Sequence, residues 1–239
     1  VPRPTIGAEE RAVVVPEEGR LWMATFTDRR EAGQELAQEL SDYAERDDVV
    51  VLGLPRGGVP VAFEVAKALE GPLDVFVVRK LGVPQNPELA MGAIASGGVR
   101  VMNDGVVDRM GISEKTIERV AEEEREKLEK REEIYRGARP AVALDGKIVL
   151  LVDDGLATGA TMRAAVSALR EHDPGRIVVA VPTAPAETCT DFQDKADEVI
   201  CLTTPRPFFG VGGAYDVFSQ TNDEDVRDLL ERAESLTEG

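Results

Sequence analysis

The fold is decided by residues 148–161, which read Ile-Val-Leu-Leu-Val-Asp-Asp-Gly-Leu-Ala-Thr-Gly-Ala-Thr. Five apolar residues run into two carboxylates and then into a loop of small and hydroxyl residues, and a helical pattern follows as far as Arg170. A continuous apolar run is typical of a strand that is buried on both faces of a parallel sheet. We therefore expect a strand, a loop and a helix, in that order.

The loop after this strand is suited to a phosphate group. A loop that ends a strand and opens a helix brings backbone N–H groups and the positive end of the helix dipole to one point. Gly155 and Gly159 permit backbone geometry that a side chain would prevent. Asp153 and Asp154 would repel a phosphate, so we expect them to hold hydroxyl groups or Mg²⁺. Because adjacent carboxylates repel each other without a ligand, Asp154→Asn is expected to leave the melting temperature unchanged or slightly raised.

This segment resembles the phosphoribosyl-pyrophosphate signature of the type I phosphoribosyltransferases. The resemblance implies that Asp153 and Asp154 face the ribose hydroxyls, directly or through Mg²⁺, and that the loop wraps the 5′-phosphate. The loop residues in this interpretation are Gly155, Leu156, Ala157, Thr158, Gly159, Ala160 and Thr161. Gly155 departs from the family pattern, which usually has a larger apolar residue there. The alternative is an ordinary strand–turn–helix unit with two acidic surface residues.

A second strand–loop–helix pattern occupies residues 48–69. The apolar strand 48–54 ends in Pro-Arg-Gly-Gly, and in the family the corresponding loop receives the pyrophosphate. The resemblance implies that Arg56 pairs with phosphate oxygens, in a forked geometry that lysine cannot match, beside Gly57 and Gly58. A glycine-rich turn with a surface arginine is the alternative.

The next strand, 73–79, ends in two cations, Arg79 and Lys80. They follow the carboxyl end of a parallel strand, where open α/β sheets bind ligands. Residues 81–94 are rich in Pro and Gly and lie where type I enzymes carry a mobile lid. Glu88 is either a lid residue that reaches the reacting centre or a structural residue. The phrase 79–94 looks like that of an uncharacterised bacterial and archaeal phosphoribosyltransferase group, and the resemblance runs over residues 23–230.

We predict an α/β fold with a doubly wound, five-stranded parallel sheet, as in type I phosphoribosyltransferases. Its strands are 48–54, 73–79, 147–153, 176–182 and 197–202. A hairpin at 93–102 and a charged helix at 113–136 are inserted, and the helix should pack one narrow apolar face that includes Ile134. Its favourable i,i+4 pairs are Glu123–Lys127, Glu126–Lys130 and Glu132–Arg136. A coiled-coil homodimer through this helix is the alternative.

The tail after the last strand combines aromatic residues with several glycines. Purine phosphoribosyltransferases place base-contacting groups here, so the resemblance implies that Phe208 or Phe209 stacks on a base and that Val211 lies beside it. Packing of the aromatics is an equal alternative. A capping box at 221–224 should open a final helix. His172, the only histidine, is expected to be a surface residue near a helix end.

The composition excludes several classes of protein. A net charge of −17, from 45 acidic and 28 basic residues, argues against a nucleic-acid partner and suits a strongly solvated surface, as in an acidic protein adapted to high salt. No apolar run is long enough to span a membrane. Cys189 and Cys201 lack a metal-binding spacing, and we expect reduced thiols in a cytoplasmic protein. Residues 1–22 lack periodicity, which predicts an N-terminal extension before a single domain at 23–239.

The resemblance implies a pentosyltransferase of nucleotide metabolism. It would move ribose 5-phosphate from phosphoribosyl pyrophosphate to a small nitrogenous acceptor, a nucleobase, with Mg²⁺ as cofactor. The catalytic candidates are Asp153, Asp154, Arg56, Lys80 and Glu88. Ala157 stands where hypoxanthine-guanine enzymes have an acid, so the loop is closer to the adenine pattern. Two alternatives stay open: a regulator that senses the same ligand without catalysis, and a phosphorylase.

Overall fold

The computed structural model of the chain describes residues 25–237, so the expected extension at 1–22 lies outside the described part. Its helices and strands, in chain order, are α1 Arg29–Glu39, β1 Val49–Gly53, α2 Gly58–Leu69, β2 Leu73–Val75, β3 Val78–Val83, β4 Asn86–Ala95, β5 Arg100–Met102, α3 Asp104–Met110, α4 Glu114–Arg136, β6 Ile148–Val152, α5 Ala160–Arg170, β7 Arg176–Thr183, α6 Ala186–Thr190, β8 Glu198–Thr203 and α7 Asp223–Thr237. Among these residues no helix is long and apolar enough to cross a membrane.

The main sheet has five parallel strands in the order β2-β1-β6-β7-β8, which confirms the predicted fold class. Strand β6 shows why its run is apolar throughout. Val149 and Leu151 face the cluster that contains α5, while Leu150 and Val152 face the cluster that contains α1 and α2. Helices therefore cover both faces of the sheet, and every residue of the strand's interior needs an apolar side chain.

The predicted strand 73–79 is wrong in its second half. The chain leaves the main sheet after Val75, and Val77 instead forms two hydrogen bonds with Ser96, through N–H to Oγ at 2.8 Å and through C=O to N–H at 2.9 Å. The next strand, β3, pairs antiparallel with β4, which pairs with β5 in a separate three-stranded sheet. Arg79 and Lys80 thus lie on this second sheet.

The predicted lid at 81–94 is also not a loop. Its residues form most of the β3–β4 hairpin, because Leu81, Val83 and Met91 alternate with polar or small residues and are fully buried. A Cβ at Gly82 would lie 2.8 Å from the carbonyl oxygen of Pro87, so this glycine permits the close approach of the two strands. The hairpin expected at 93–102 is present as β4 and β5.

The long helix α4 is confirmed, whereas α3 was not predicted. The inward face of α4 buries Ile117, Ala121, Leu128 and Tyr135, but Ile134, expected in this stripe, is 49% exposed. Of the three predicted ion pairs the structure forms Glu132–Arg136, at 2.7 Å. In place of the predicted Glu123–Lys127 pair, Glu123 pairs with Arg119, and Lys127 pairs with Glu124. Glu124 also pairs with Arg79 of the hairpin.

Two local predictions are corrected at helix ends. The capping box of α7 is formed by Asn222 and Asp225, whose side chains each accept the other's backbone N–H at 2.9 and 2.8 Å, since the helix begins at Asp223. His172 is half-buried rather than on the surface. Its ring lies 3.1 Å from the Ser96 carbonyl oxygen and edge-on to Phe76, because the turn after β4 folds over the end of α5.

The cysteines form a disulfide, which overturns the expectation of reduced thiols. Cys189 in α6 and Cys201 in β8 are both buried and their Cα atoms are 6.6 Å apart. The sequence spacing of twelve residues concealed this proximity. Helix α6 lies between β7 and β8 in the chain and packs back against β8, which brings the two side chains together.

Candidate active site

Two loops leave the carboxyl edge of the main sheet side by side. Strands β1 and β6 are neighbours, with Gly53 opposite Val152, so the loops that follow them start at the same level. The glycines of the first loop allow it to touch the second. A Cβ at Gly57 would overlap Oδ2 of Asp154, and a Cβ at Gly58 would lie 2.8 Å from Cα of Asp153. The arrangement unites the two motifs that were singled out in the sequence.

Asp154 is held by an arginine that the sequence analysis did not select. Arg29, the first residue of α1, donates to Oδ2 of Asp154 through Nε at 2.8 Å and through a terminal nitrogen at 2.7 Å. Both side chains are largely buried, with 12% and 14% of their surface exposed. A basic residue in the first turn of a helix is unfavourable for the helix dipole. This unfavourable position was the one signal in the sequence that Arg29 makes an interaction outside its own helix.

Two aromatic rings fix Arg29 in place. Its guanidinium carbon lies 3.9 Å from the centre of the Phe218 ring, which stacks on Tyr215 at 5.2 Å, and its other terminal nitrogen donates to the Ser219 carbonyl at 2.7 Å. The Tyr215 hydroxyl donates to the backbone carbonyl of Asp154 at 2.5 Å. Burial and the nearby Asp154 charge raise the pKa of Tyr215, so it stays a neutral donor.

The two carboxylates have different electrostatic surroundings. Burial and the charge of Asp154 raise the pKa of Asp153 well above its usual range. Oδ1 of Asp153 accepts the backbone N–H of Asp154 at 2.9 Å. Asp154 has the Arg29 guanidinium as a direct counter-charge. The second oxygen of each carboxylate has no hydrogen bond among residues 25–237, so both can accept from a ligand.

The loop after Asp154 presents small and hydroxyl residues at the surface. Ala157, Thr158, Ala160 and Thr161 are exposed, whereas Gly159 is buried and adopts φ +69°, a conformation that favours glycine. Neighbouring helices hold its outer carbonyls: Arg163 donates to Thr158 O at 2.6 Å. Thr188 Oγ1 donates to Ala157 O at 3.1 Å. Within the loop, the Ala160 N–H at the start of α5 donates to Thr158 Oγ1 at 3.4 Å.

Gly155, the position that departs from the family pattern, has a packing explanation. A Cβ there would lie 2.7 Å from a Val211 methyl group and 2.9 Å from the Thr183 carbonyl oxygen. The next residue, Leu156, is buried and its N–H donates to that same carbonyl at 2.9 Å. The tail therefore packs directly on the start of the loop, and a larger residue at 155 would push it away.

Arg56 lines the cleft together with Asp153 and Asp154. One terminal nitrogen lies 3.7 Å from Asp223 at the start of α7, and the Tyr135 hydroxyl donates to the same carboxylate oxygen at 2.8 Å. Arg56 is about one-third exposed, so its guanidinium is oriented but still open to an anion. Helices α4 and α7 thus support the predicted pyrophosphate loop from behind.

Three predicted site residues on the hairpin do not join this cleft. Arg79 forms a two-nitrogen ion pair with Glu124 of α4, at 2.8 and 2.7 Å, and lines a neighbouring cleft. Lys80 contacts Glu88 at 3.4 Å, and the Glu88 side chain is 94% exposed. The lysine and the glutamate face each other across the hairpin rather than the carboxylates.

The predicted base-binding residues also lie apart from the cleft that contains the carboxylates. Phe208 is half-buried, Phe209 is 67% exposed, and Val211 packs against Gly155. The aromatic side chain that does line the cleft is Phe218, seven residues after Val211. Its position depends on stacking with Tyr215 and Arg29, which no sequence pattern reveals.

Comparisons with known proteins identify the family of this chain. Residues 26–217 match the sequence model of the phosphoribosyl transferase domain. Two Mycobacterium tuberculosis proteins from different strains, each named "Putative phosphoribosyl transferase", are 50% identical over 211 residues, which is 88% of this chain and 47% of theirs. The chain thus spans about half the length of these curated relatives. The crystal structure of TT1426 from Thermus thermophilus is 46% identical, covers 87% of this chain and 98% of that one, and superposes with a TM-score of 0.78.

Proposed function

This chain belongs to the phosphoribosyl transferase domain family, and from that premise we propose that it transfers ribose 5-phosphate from phosphoribosyl pyrophosphate to a nitrogenous acceptor, a nucleobase, and releases pyrophosphate. The observation that carries the proposal is the contact between the two loops. The carboxylates Asp153 and Asp154 lie against the arginine loop at Gly57 and Gly58, with the phosphate loop 157–161 following directly. A ligand with a sugar between two phosphate groups matches this order.

The ribose would lie over the two carboxylates. Each has an oxygen that is not engaged by a described residue, and carboxylate oxygens accept hydrogen bonds from sugar hydroxyls. The ion pair with Arg29 fixes the direction of the Asp154 carboxylate, so the acceptor geometry exists before the ligand arrives. The 5′-phosphate would accept from the N–H groups at the amino end of α5, where the helix dipole favours an anion.

The carboxylates Asp153 and Asp154 could hold Mg²⁺ only if substrate oxygens supply further ligands to the ion. Among residues 25–237 no group of three or more His, Cys, Asp or Glu side chains could hold a metal by itself. Mg²⁺ is commonly bound by one or two carboxylates together with substrate phosphates and water. Asp153 and Asp154 match that requirement, although Arg29 already holds Oδ2 of Asp154. The bound ion would supply positive charge to the pyrophosphate as it departs.

Bond cleavage at the sugar would develop positive charge on the ribose and negative charge on the leaving pyrophosphate. Arg56 lies on the loop expected to receive that group, and its forked donors suit phosphate oxygens. The carboxylates on the other side of the sugar would favour its cationic character. Lys80 and Glu88 stay candidates for this step through movement of the hairpin, since they contact each other and not the cleft.

The acceptor would approach from the tail side of the cleft. Phe208, Phe209 and Val211 stay the proposed base-contacting residues, and Phe218 joins them because it lines the cleft beside Asp154. Ala157 offers no acid at the position where hypoxanthine-guanine enzymes have one, and its carbonyl is occupied by Thr188. We therefore propose a base that needs no carboxylate contact there, as in the adenine pattern.

The test is a screen of free bases with labelled phosphoribosyl pyrophosphate and Mg²⁺, in which pyrophosphate release and nucleotide formation are both measured. Turnover with at least one base, dependent on pyrophosphate in the reverse direction, is the expected result. Cleavage that depends on inorganic phosphate would instead indicate a phosphorylase. Tight binding of phosphoribosyl pyrophosphate without turnover of any base would indicate a regulator.

A further inference from the structure

We infer that Arg131 of α4 is a pyrophosphate-binding residue, and that the cleft between Pro55 and Thr161 is an anion subsite to which the long helix contributes. This inference rests on the proposed function for the identity of the anion. The cleft adjoins the one that contains the carboxylates, since Pro55 lines both. Its other charged lining residue is Arg79.

The position of Arg131 on the helix is inward. It follows Leu128 by three residues and precedes Tyr135 by four, and both of those side chains are fully buried. Residues three and four apart share one face of a helix. Arg131 is accordingly half-buried. It is not a solvated surface cation of the kind that occupies the outer face of α4.

Arg131 forms no direct ion pair within the described part of the chain. Two other largely buried charges of this helix have partners: Glu124 pairs with Arg79 and Lys127, and Glu132 pairs with Arg136. No hydrogen bond or ion pair joins Arg131 to any of residues 25–237. This is unusual in a chain with 45 acidic and 28 basic residues, because a half-buried guanidinium is stabilised by a partner. An anionic ligand in the cleft would provide one.

The surroundings indicate which anion. Burial and the hydrogen bond to Asp223 raise the pKa of Tyr135, whereas the charges of Arg131 and Arg56 oppose that rise, so both guanidinium groups lie within Coulomb range of one hydroxyl. The cleft thus connects the pyrophosphate loop, through Pro55, with the end of the phosphate loop, at Thr161. Two phosphate groups joined in one ligand can contact Arg56 and Arg131 together, which a single phosphate bound at 157–161 cannot.

The experiment measures binding of inorganic pyrophosphate and of inorganic phosphate by calorimetry. The variants are Arg131→Gln, Arg131→Lys and the control Arg125→Gln, which removes an arginine of the same helix that pairs with Glu122 on the surface. Arg131→Gln should weaken pyrophosphate binding about tenfold or more and leave phosphate binding unchanged. Arg131→Lys, which keeps the charge without the fork, should lie between wild type and Arg131→Gln. The control should match wild type.

The outcomes separate this inference from the proposed function. If wild type binds pyrophosphate and Arg131→Gln binds it equally well, the role of Arg131 is overturned while the transferase proposal stands. If wild type binds neither pyrophosphate nor phosphoribosyl pyrophosphate, both fall. If Arg131→Gln does not fold, Arg131→Lys decides, and a pyrophosphate affinity equal to wild type in that variant would overturn the forked contact.

Discussion

Replacing Asp154 by asparagine should destabilise the ligand-free protein, contrary to the expectation from two adjacent carboxylates. The substitution keeps the shape of the side chain but removes the charge that faces Arg29. Removing one partner of a fully buried ion pair costs roughly 3–5 kcal/mol, because the other charge is left buried. Here the two side chains are 14% and 12% exposed, and asparagine keeps one oxygen that can accept from Arg29. We therefore expect a loss of about 2–3 kcal/mol in the free energy of unfolding.

The assay is thermal and urea unfolding of the protein without ligand or Mg²⁺. For a chain of this length the expected loss corresponds to a fall of about 4–12 °C in melting temperature. A double-mutant cycle with Arg29→Gln should give a coupling energy of roughly 1–3 kcal/mol, since both changes remove the same contact. A variant Asp154→Asn that melts at or above wild type would refute the ion-pair argument and restore carboxylate repulsion as the dominant effect.

Three further changes test other parts of the structure. Asp153→Asn should be more stable than wild type at neutral pH, because the pKa of Asp153 is raised in the folded state. The stability that this carboxyl contributes is present below its unfolded pKa of about 3.9 and is lost as pH rises through the folded pKa. The gain over wild type, followed by unfolding at several pH values, should disappear as pH falls, and a gain that is constant with pH would contradict the raised pKa. Arg56→Ala should weaken pyrophosphate binding by roughly 1.5 kcal/mol in calorimetry, which is at the low end for a charged contact because Asp223 already pairs with Arg56. Binding of a nucleoside monophosphate should change little. Equal weakening of both ligands would remove Arg56 from the pyrophosphate site. Reduction of the Cys189–Cys201 disulfide should lower the free energy of unfolding by about 2–4 kcal/mol, measured by urea unfolding with and without a reductant, and an unchanged midpoint would contradict the bond.

The parts of the fold that could be predicted are those with a local physical cause. Strands β1, β6 and β7 are covered on both faces, so their burial requires uninterrupted apolar runs that are visible in the sequence. The meeting of the two loops follows from parallel strands, whose carboxyl ends share one edge of the sheet. The strand at 73–79 failed because nothing local indicates that the chain changes sheets after Val75.

The parts of the site that were missed depend on contacts between distant residues. Arg29 and Asp154 are 125 positions apart, and the orientation of Arg56 depends on Asp223 at the far end of the chain. The pairing of Cys189 with Cys201 was missed although the two are close in sequence, because it depends on how α6 packs on β8. In each case the signal is the three-dimensional path of the chain, which composition and periodicity do not contain.

Helix α7 has a practical consequence for work with fragments of this protein. The family match ends at residue 217, before α7 begins. Val226 and Leu230 of that helix are buried in the same cluster as Val59, directly behind the arginine loop. A fragment cut to the matched residues would keep every signature motif but would expose this cluster to water and release Arg56 from Asp223. Transplants, fusions and truncations that join the chain after residue 217 should therefore carry the helix with them.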